Sequence, residues 1–368
     1  MFTKVVAGML GLLVVSVTQP AGAVSAPLDG ELKEPVRGLL DRQGPAPAAY
    51  QSVVNAFVIR VPWATLQPAR EPGTNHGGAL DPAAITAALA LPRAAGKPVR
   101  LRVTAGTEAP EWAKRLGGHK PMDWYADGAL LGTIGRFWTP EFDTAYRNLQ
   151  ERLAALYDSD PRIREVVVAR CTTEFAEPYT RQTNQLALNR PALEEAEYTS
   201  AADDRCHQEE IQAHQVWQRT RSYLALNPYQ RINESTWTGT VDLPFTKDMI
   251  GYCRQILGAR CVLGNNSLDP DRPAVYQQMY EHIAAQGGPI AYQTATAAKV
   301  CESQNPQTPC PPARWNAVLD MALDYGAGAV ELPAAANGYT SWSIEEILPY
   351  HGLRYYDEAL EAAPSLPR

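Results

Sequence analysis

Little in this chain suits a charged macromolecular partner or a bound cofactor. No stretch is strongly basic and lysines are few; the formal charge is −7 and the pI about 5.5. That lacks the electrostatic footprint of a nucleic-acid or anionic-membrane binder. Neither GxGxxG nor a P-loop occurs, so no phosphate-cradling turn is present. HExxH and CxxC are missing and His207 is the only histidine near a cysteine, so neither metal nor cofactor is expected. GxSxG is missing too, which removes the nucleophile-elbow hydrolases. There is no internal repeat and no low-complexity tract.

What is present begins with Met1-Phe2-Thr3-Lys4, an apolar run from Val5 to Val17, and Ala21-Gly22-Ala23. A basic start, a short apolar core and an A-x-A site predict a signal peptide over 1–23 and a secreted, extracellular product. The run is shorter than the ~20 residues that span a bilayer, and no second one exists, so no stable membrane insertion is expected after cleavage. All six cysteines lie beyond it. An even number in an exported chain predicts disulfides, and short spacings favour Cys171–Cys206, Cys253–Cys261 and Cys301–Cys310.

Residues 24–50 read as an extension holding a possible first strand near 36–40. From 51 to 368 the chain alternates strand-like and helix-like segments. Strands are expected at 53–61, 98–104, 164–170, 229–236, 260–265, 288–293 and 327–332. Amphipathic helices are expected at 81–95, 140–157, 206–226, 245–257, 270–286, 312–325 and 343–362. Repeated βα units imply a parallel sheet, and their number implies one closed (β/α)8 TIM barrel. Two long connections, 105–139 and 175–205, fall on its C-terminal face, where barrel sites are built.

Two glutamates close strand-like runs there: Glu174 after 164–170, and Glu331 in Ala329-Val330-Glu331. Facing carboxylates are the minimum equipment for glycoside hydrolysis, about 5–5.5 Å apart in a retaining enzyme and roughly 6.5–9.5 Å in an inverting one. The bland alternative for Glu174 is a buried ion pair with Arg60, Arg100 or Arg102, and for Glu331 a helix cap. Glu177 could exchange roles with Glu174. Glu234 is a third candidate, with Asp242 and Glu108 behind it. Trp63, Trp112, Trp124, Trp138, Trp237 and Trp342 fall in or beside strand-end loops. Aromatic faces suit the C–H faces of sugars, although many such rings merely pack. Trp217 and Trp315 sit inside helices and read as core. Asn265, Asn266 and Gln293 end strands and suit sugar hydroxyls, or anchor loops.

Several segments then resemble the β-galactosidase-like glycoside hydrolases of clan A. Val61-Pro62-Trp63-Ala64-Thr65-Leu66-Gln67-Pro68 is similar to their v-x-W-x-x-l-e-P segment. Asp81 to Ile85, Gly96-Lys97-Pro98-Val99-Arg100-Leu101-Arg102-Val103 and Ala109-Pro110-Glu111-Trp112 follow in the same order. The likeness covers about residues 50–175. It implies a retaining barrel with an acid/base glutamate after strand 4 and a nucleophile after strand 7. Carried over, Glu174 takes the acid position, with Thr173 where the family usually has Asn, and Glu331 is the best nucleophile. If the strand near 36–40 is real, Glu331 closes strand 8 instead. The expected partner is an oligo- or polysaccharide with neutral sugars. The rival is a barrel that holds carbohydrate without cleaving it.

Overall fold

The computed structural model describes residues 31–301, 312–333, 351, 352, 354 and 355. Eight parallel strands close into a barrel: β1 (Gly38–Asp41), β2 (Val54–Pro62), β3 (Val99–Thr104), β4 (Ile163–Val167), β5 (Arg221–Ala225), β6 (Cys261–Leu268), β7 (Ile290–Thr294) and β8 (Ala329–Leu332). The protein is a (β/α)8 barrel. The helices packed outside include α1 (Ala83–Leu89), α2 (Pro140–Tyr157), α3 (Leu186–Glu195), α4 (Ser200–Ala213), α5 (Leu243–Leu257), α6 (Ala274–Ala285) and α7 (Pro312–Asp324). Among the described residues no helix is long and apolar enough to cross a membrane.

Local chemistry sets the helix starts. Thr139 accepts from the Phe142 N–H with Pro140 opening α2, Thr199 accepts from Ala202 ahead of α4, and Asp242 accepts from Phe245 ahead of α5. Each shape satisfies an N–H that the first turn leaves unpaired.

One open alternative is decided and one expectation is corrected. The segment near 36–40 is a barrel strand, so Glu331 lies in strand 8, with its neighbours β7 and β1. The fifth strand is Arg221–Ala225, inside the stretch expected as a helix over 206–226. The segment at 229–236 is instead the first arm of a hairpin, Tyr229–Asn233 with Thr238–Asp242, outside the barrel. A five-residue buried strand has no alternation to betray it, whereas Tyr-Gln-Arg-Ile-Asn does alternate. The 105–139 connection holds a second hairpin, Met122–Ala126 with Ala129–Ile134.

The barrel interior is unusual in its filling. Small residues face inward: Ala56, Ala169, Ala225, Gly264, Ala291 and Ala329. They leave room for two arginines of β3. Arg100 lies 3.7 Å above the Tyr223 ring. A Cβ at Gly264 would collide with the Ala291 carbonyl oxygen and the Tyr223 ring. Aliphatic side chains fill the outer layer between strands and helices. Cys171–Cys206 and Cys253–Cys261 are bridged. The expected Cys301–Cys310 pair reaches residues outside those described, as does Trp342.

Candidate active site

Along a strand alternate side chains share a face, so Arg100 and Arg102 both point inward from β3. Glu331 enters from β8 between them. Arg102 reaches it at 2.6 and 3.0 Å, Arg100 at 3.5 Å, and Arg42, just beyond β1, at 3.4 Å. Arg100 also binds Glu165 of β4 at 2.8 Å. The Glu331 side chain has 0% exposure. Burial works to raise its pKa, but Arg102, then Arg42 and Arg100, outweigh burial and hold the carboxyl below its ordinary range. Arg102 also donates to Gln293 Oε1 at 3.2 Å, and Gln293 donates to the Asn266 carbonyl.

The loop after β4 brings the second carboxylate. Glu177 accepts from Asn227 Nδ2 at 3.0 Å. Burial pushes its pKa up; the Asn227 bond and the positive Arg102, Arg272 and Lys299 only partly oppose this. Arg42 feels both Glu331 and Glu177. Glu174 stands three residues earlier and accepts from Gln182 at 2.9 Å. Its carboxyl is also raised, by burial and then by Asp127 and Glu177. Its electrostatic neighbours are therefore other carboxylates of the rim, while Glu177 shares guanidiniums with Glu331.

Both ends of this loop are tied to α4. The Glu210 carboxylate accepts from the backbone N–H groups of Arg170 and Cys171, and Cys171 is bridged to Cys206. At the far end Arg181 binds Asp203 through two nitrogens at 2.6 and 2.7 Å, and Tyr198 and Tyr229 donate to the same carboxylate. Asp203 is buried, which alone would raise its pKa, but Arg181 and His207 bring it to about 2. From below, Gly106 at φ +59° lets the β3 loop press against the Thr173 carbonyl, which accepts from Thr107 N at 2.9 Å. A side chain at 106 would collide with that carbonyl.

The other expected residues are scattered. Trp63 has 0% exposure and packs edge-on against Trp112, Phe142 and Tyr146 of the helical layer, so it presents no face to a sugar. This corrects its substrate-binding assignment: the short helix at the β2 exit turns the ring outward into the core. Trp112 is half-buried and donates to the Gln67 carbonyl, an anchor for the same corner. Trp138 is buried, edge-on to Phe137 and Tyr198. Trp124 is buried in its hairpin, and Trp237 lies at the other hairpin's turn with Arg190 over its ring. Trp217 and Trp315 are core. Asn265 is buried, donating to the Leu226 carbonyl and Asn227 and accepting from Tyr280. Glu234 accepts from Ser200 N at the start of α4, Asp242 caps α5, and Glu108 pairs with Arg60 at 2.6 Å. Gln293, Glu177 and Glu331 are thus brought into one network. Arg42 and Asn227 join it without having been singled out. Asn227 was hidden because β5, which ends two residues before it, read as the end of a helix.

Two other features lie elsewhere. A cavity of about 710 Å³ opens at the N-terminal end of the barrel, between Val36, Glu165, Arg221, Arg254 and Ile290. That end of such barrels serves stability, and chemistry is sited at the other. Among the described residues, Cys171, His207 and Glu210 group closely enough to hold a metal, but the Cys171 sulfur is in the disulfide.

No protein-family model and no curated protein matches the chain. Solved structures similar to it include the endoglucanase Cel5A of Pseudomonas stutzeri, at 10% identity and TM-score 0.46 over 82% of this chain and 88% of that one. An exo-β-1,4-mannosidase from an Opitutaceae bacterium gives 11% and 0.42 over 90% and 61%. The glycoside hydrolase domain of PelA from Pseudomonas aeruginosa, as a variant, gives 12% and 0.41 over 82% and 96%.

Proposed function

We propose that this chain is an exported glycoside hydrolase, with Glu177 as general acid and Glu331 as the ionised partner carboxylate. The observation that carries the reading is the opposite bias of two glutamates in one network. Glu177 is raised by burial and Glu331 is lowered by arginines. Glycoside cleavage needs that division: one carboxyl still protonated near neutrality to donate to the leaving oxygen, the other ionised to meet the cation-like sugar. Glu177 takes the acid role that the family resemblance gives to Glu174, because Glu177 shares Arg102 and Arg42 with Glu331. Glu174 stays beside it and, by repulsion, helps to keep a proton on the pair. A retaining course would use Glu331 as nucleophile. Two disulfides support an oxidising destination.

The test is a glycan and aryl-glycoside panel with wild type, Glu177→Gln and Glu331→Gln. Glu177→Gln should slow substrates with poor leaving groups about 10²-fold or more and spare activated aryl glycosides, which need no proton. Glu331→Gln should stop both. Equal losses on both substrate types in Glu177→Gln would overturn its role, and a matching selective loss in Glu174→Gln would return the acid to that residue. A second reading has its own observation: Glu331 has no exposed surface and three guanidiniums in place. Such a barrel could hold a glycan without cleaving it, and tight binding with no turnover by wild type would establish that.

A further inference from the structure

A single exposed apolar side chain on a protein surface needs no explanation, but Phe175 stands apart. Every other Phe, Tyr and Trp side chain among the described residues is buried or partly buried; Phe175 alone is exposed, at 54%. Its place is equally particular, one residue after Glu174 and two before Glu177. The backbone around it is fixed. The Thr172 hydroxyl donates to the Phe175 carbonyl, the Thr173 carbonyl accepts from Thr107 N at 2.9 Å, and the Ala176 carbonyl accepts from Asn266 Nδ2 at 3.2 Å. Ala176 itself packs with Val167, Ala169 and Tyr223 of the barrel interior. The segment therefore lies over the C-terminal mouth with Ala176 turned down into the barrel, and the Phe175 ring stands on its solvent side.

A ring and an acid on one short segment divide the substrate between them. The acid gives its proton to the oxygen that departs, so the groups beside it meet the leaving-group side of the bond. An exposed aromatic face offers apolar area to the C–H face of a pyranose. It loses little conformational freedom on binding, since its backbone is already fixed and only two side-chain torsions remain. Glu174, held by Gln182 at 2.9 Å, supplies an acceptor for the hydroxyl edge of the same sugar. Trp63 and Trp138, turned into the core, cannot serve as that face.

We propose that Phe175 is the platform for the sugar that leaves, and that the substrate is a glycan with a pyranose ring on the leaving-group side of the cleaved bond, not the glycoside of a small alcohol. This rests on the glycoside-hydrolase reading of the same site with Glu177 as acid.

The experiment is steady-state kinetics of the full-length mature protein, Phe175→Ala and Phe175→Trp. The substrates are α- and β-linked gluco-, manno- and galacto-configured tetrasaccharides and the matching glycosyl fluorides, whose departing fluoride has no face to stack and needs no proton. For the best-cleaved configuration, Phe175→Ala should raise KM for the tetrasaccharide about tenfold and leave the fluoride unchanged. Its kcat should stay within about twofold, the pattern of lost binding with the chemistry intact. Phe175→Trp should restore the tetrasaccharide. The melting temperature of Phe175→Ala should match wild type, because an exposed side chain carries little of the fold. Equal losses on both substrates, no loss on either, a loss that Phe175→Trp does not restore, or a lowered melting temperature overturns the proposal alone. Turnover of no tetrasaccharide and no fluoride by wild type overturns it together with the hydrolase reading.

Discussion

The sharpest perturbation is Glu331→Gln read as stability instead of activity. It keeps the shape of the side chain and deletes the one anion shared by Arg42, Arg100 and Arg102 at a site of 0% exposure. At ion-pair contact, with charge centres ~4 Å apart and an effective dielectric of about 20, each pair is worth roughly 4 kcal/mol before desolvation. The three pairs do not add, since much of that attraction offsets the cost of burying the ions. What the substitution leaves is worse than absence: buried guanidiniums with too few anions. Removing one partner of a buried pair typically costs about 3–5 kcal/mol. Unfolding entropy of about 2.1 cal/mol/K per residue over ~340 residues turns that into a fall in Tm of roughly 4–7 °C. The cost should depend on pH. Glu331 is depressed in the fold, so its contribution is present above the unfolded carboxyl pKa near 4.5 and disappears as pH falls through the lower folded value. Wild type and variant should therefore converge below pH 4. The assay is calorimetry from pH 3 to 8, with Arg102→Met and the double variant closing a cycle. A Tm unchanged at pH 7 would refute the buried-cluster argument. Lost activity with that unchanged Tm would instead leave Glu331 as a purely chemical group.

Glu177 has the opposite sign. Its folded pKa is raised, so ionising it costs stability as pH rises past the unfolded value, and Glu177→Gln should melt higher than wild type at pH 7 but not at pH 4, by calorimetry. Asp203→Asn should cost about 3–5 kcal/mol at pH 7, since Arg181 would be left buried without an anion, with the difference fading as wild-type Asp203 protonates toward pH 2; chemical denaturation checks it. Deleting Cys253–Cys261 should lower stability by about 2.5 kcal/mol and Cys171–Cys206 by about 4, following their loop lengths of 8 and 35, by denaturant titration of double Ala variants. Gly264→Ala should fail to give soluble protein or lose more than about 3 kcal/mol, because the added carbon meets backbone on one side and Tyr223 on the other; a normal melting curve would contradict the packing described.

The barrel was legible because period and punctuation are local: β2, β3 and α2 carry their pattern and caps on their own residues. The fifth strand was not, since Arg221–Ala225 is short and buried throughout, and only its neighbours make it a strand. Glu331 stood out as a strand-end acid, and Arg100 and Arg102 as strand arginines. The ion pair they form was expected for Glu174, because the choice of partner across a barrel depends on which strands face one another. Arg42 had no local signature at all. Nor could Trp63 be sorted from a sugar platform, since a ring leaving β2 can turn inward or outward with no change of sequence.

One consequence of the α4 tether concerns insertions. Asp203, Cys206 and Glu210 are spaced three and four apart, so they lie along one face of the helix and hold two ends of a single loop. The helix thereby acts as a ruler for the segment between Cys171 and Arg181. An extra residue between Asp203 and Glu210 would turn one anchor about 100° away from the other. Length can vary only between the anchors, around Phe175, which is 54% exposed. Diversity in what this rim touches should collect there, while the helix beneath keeps its count.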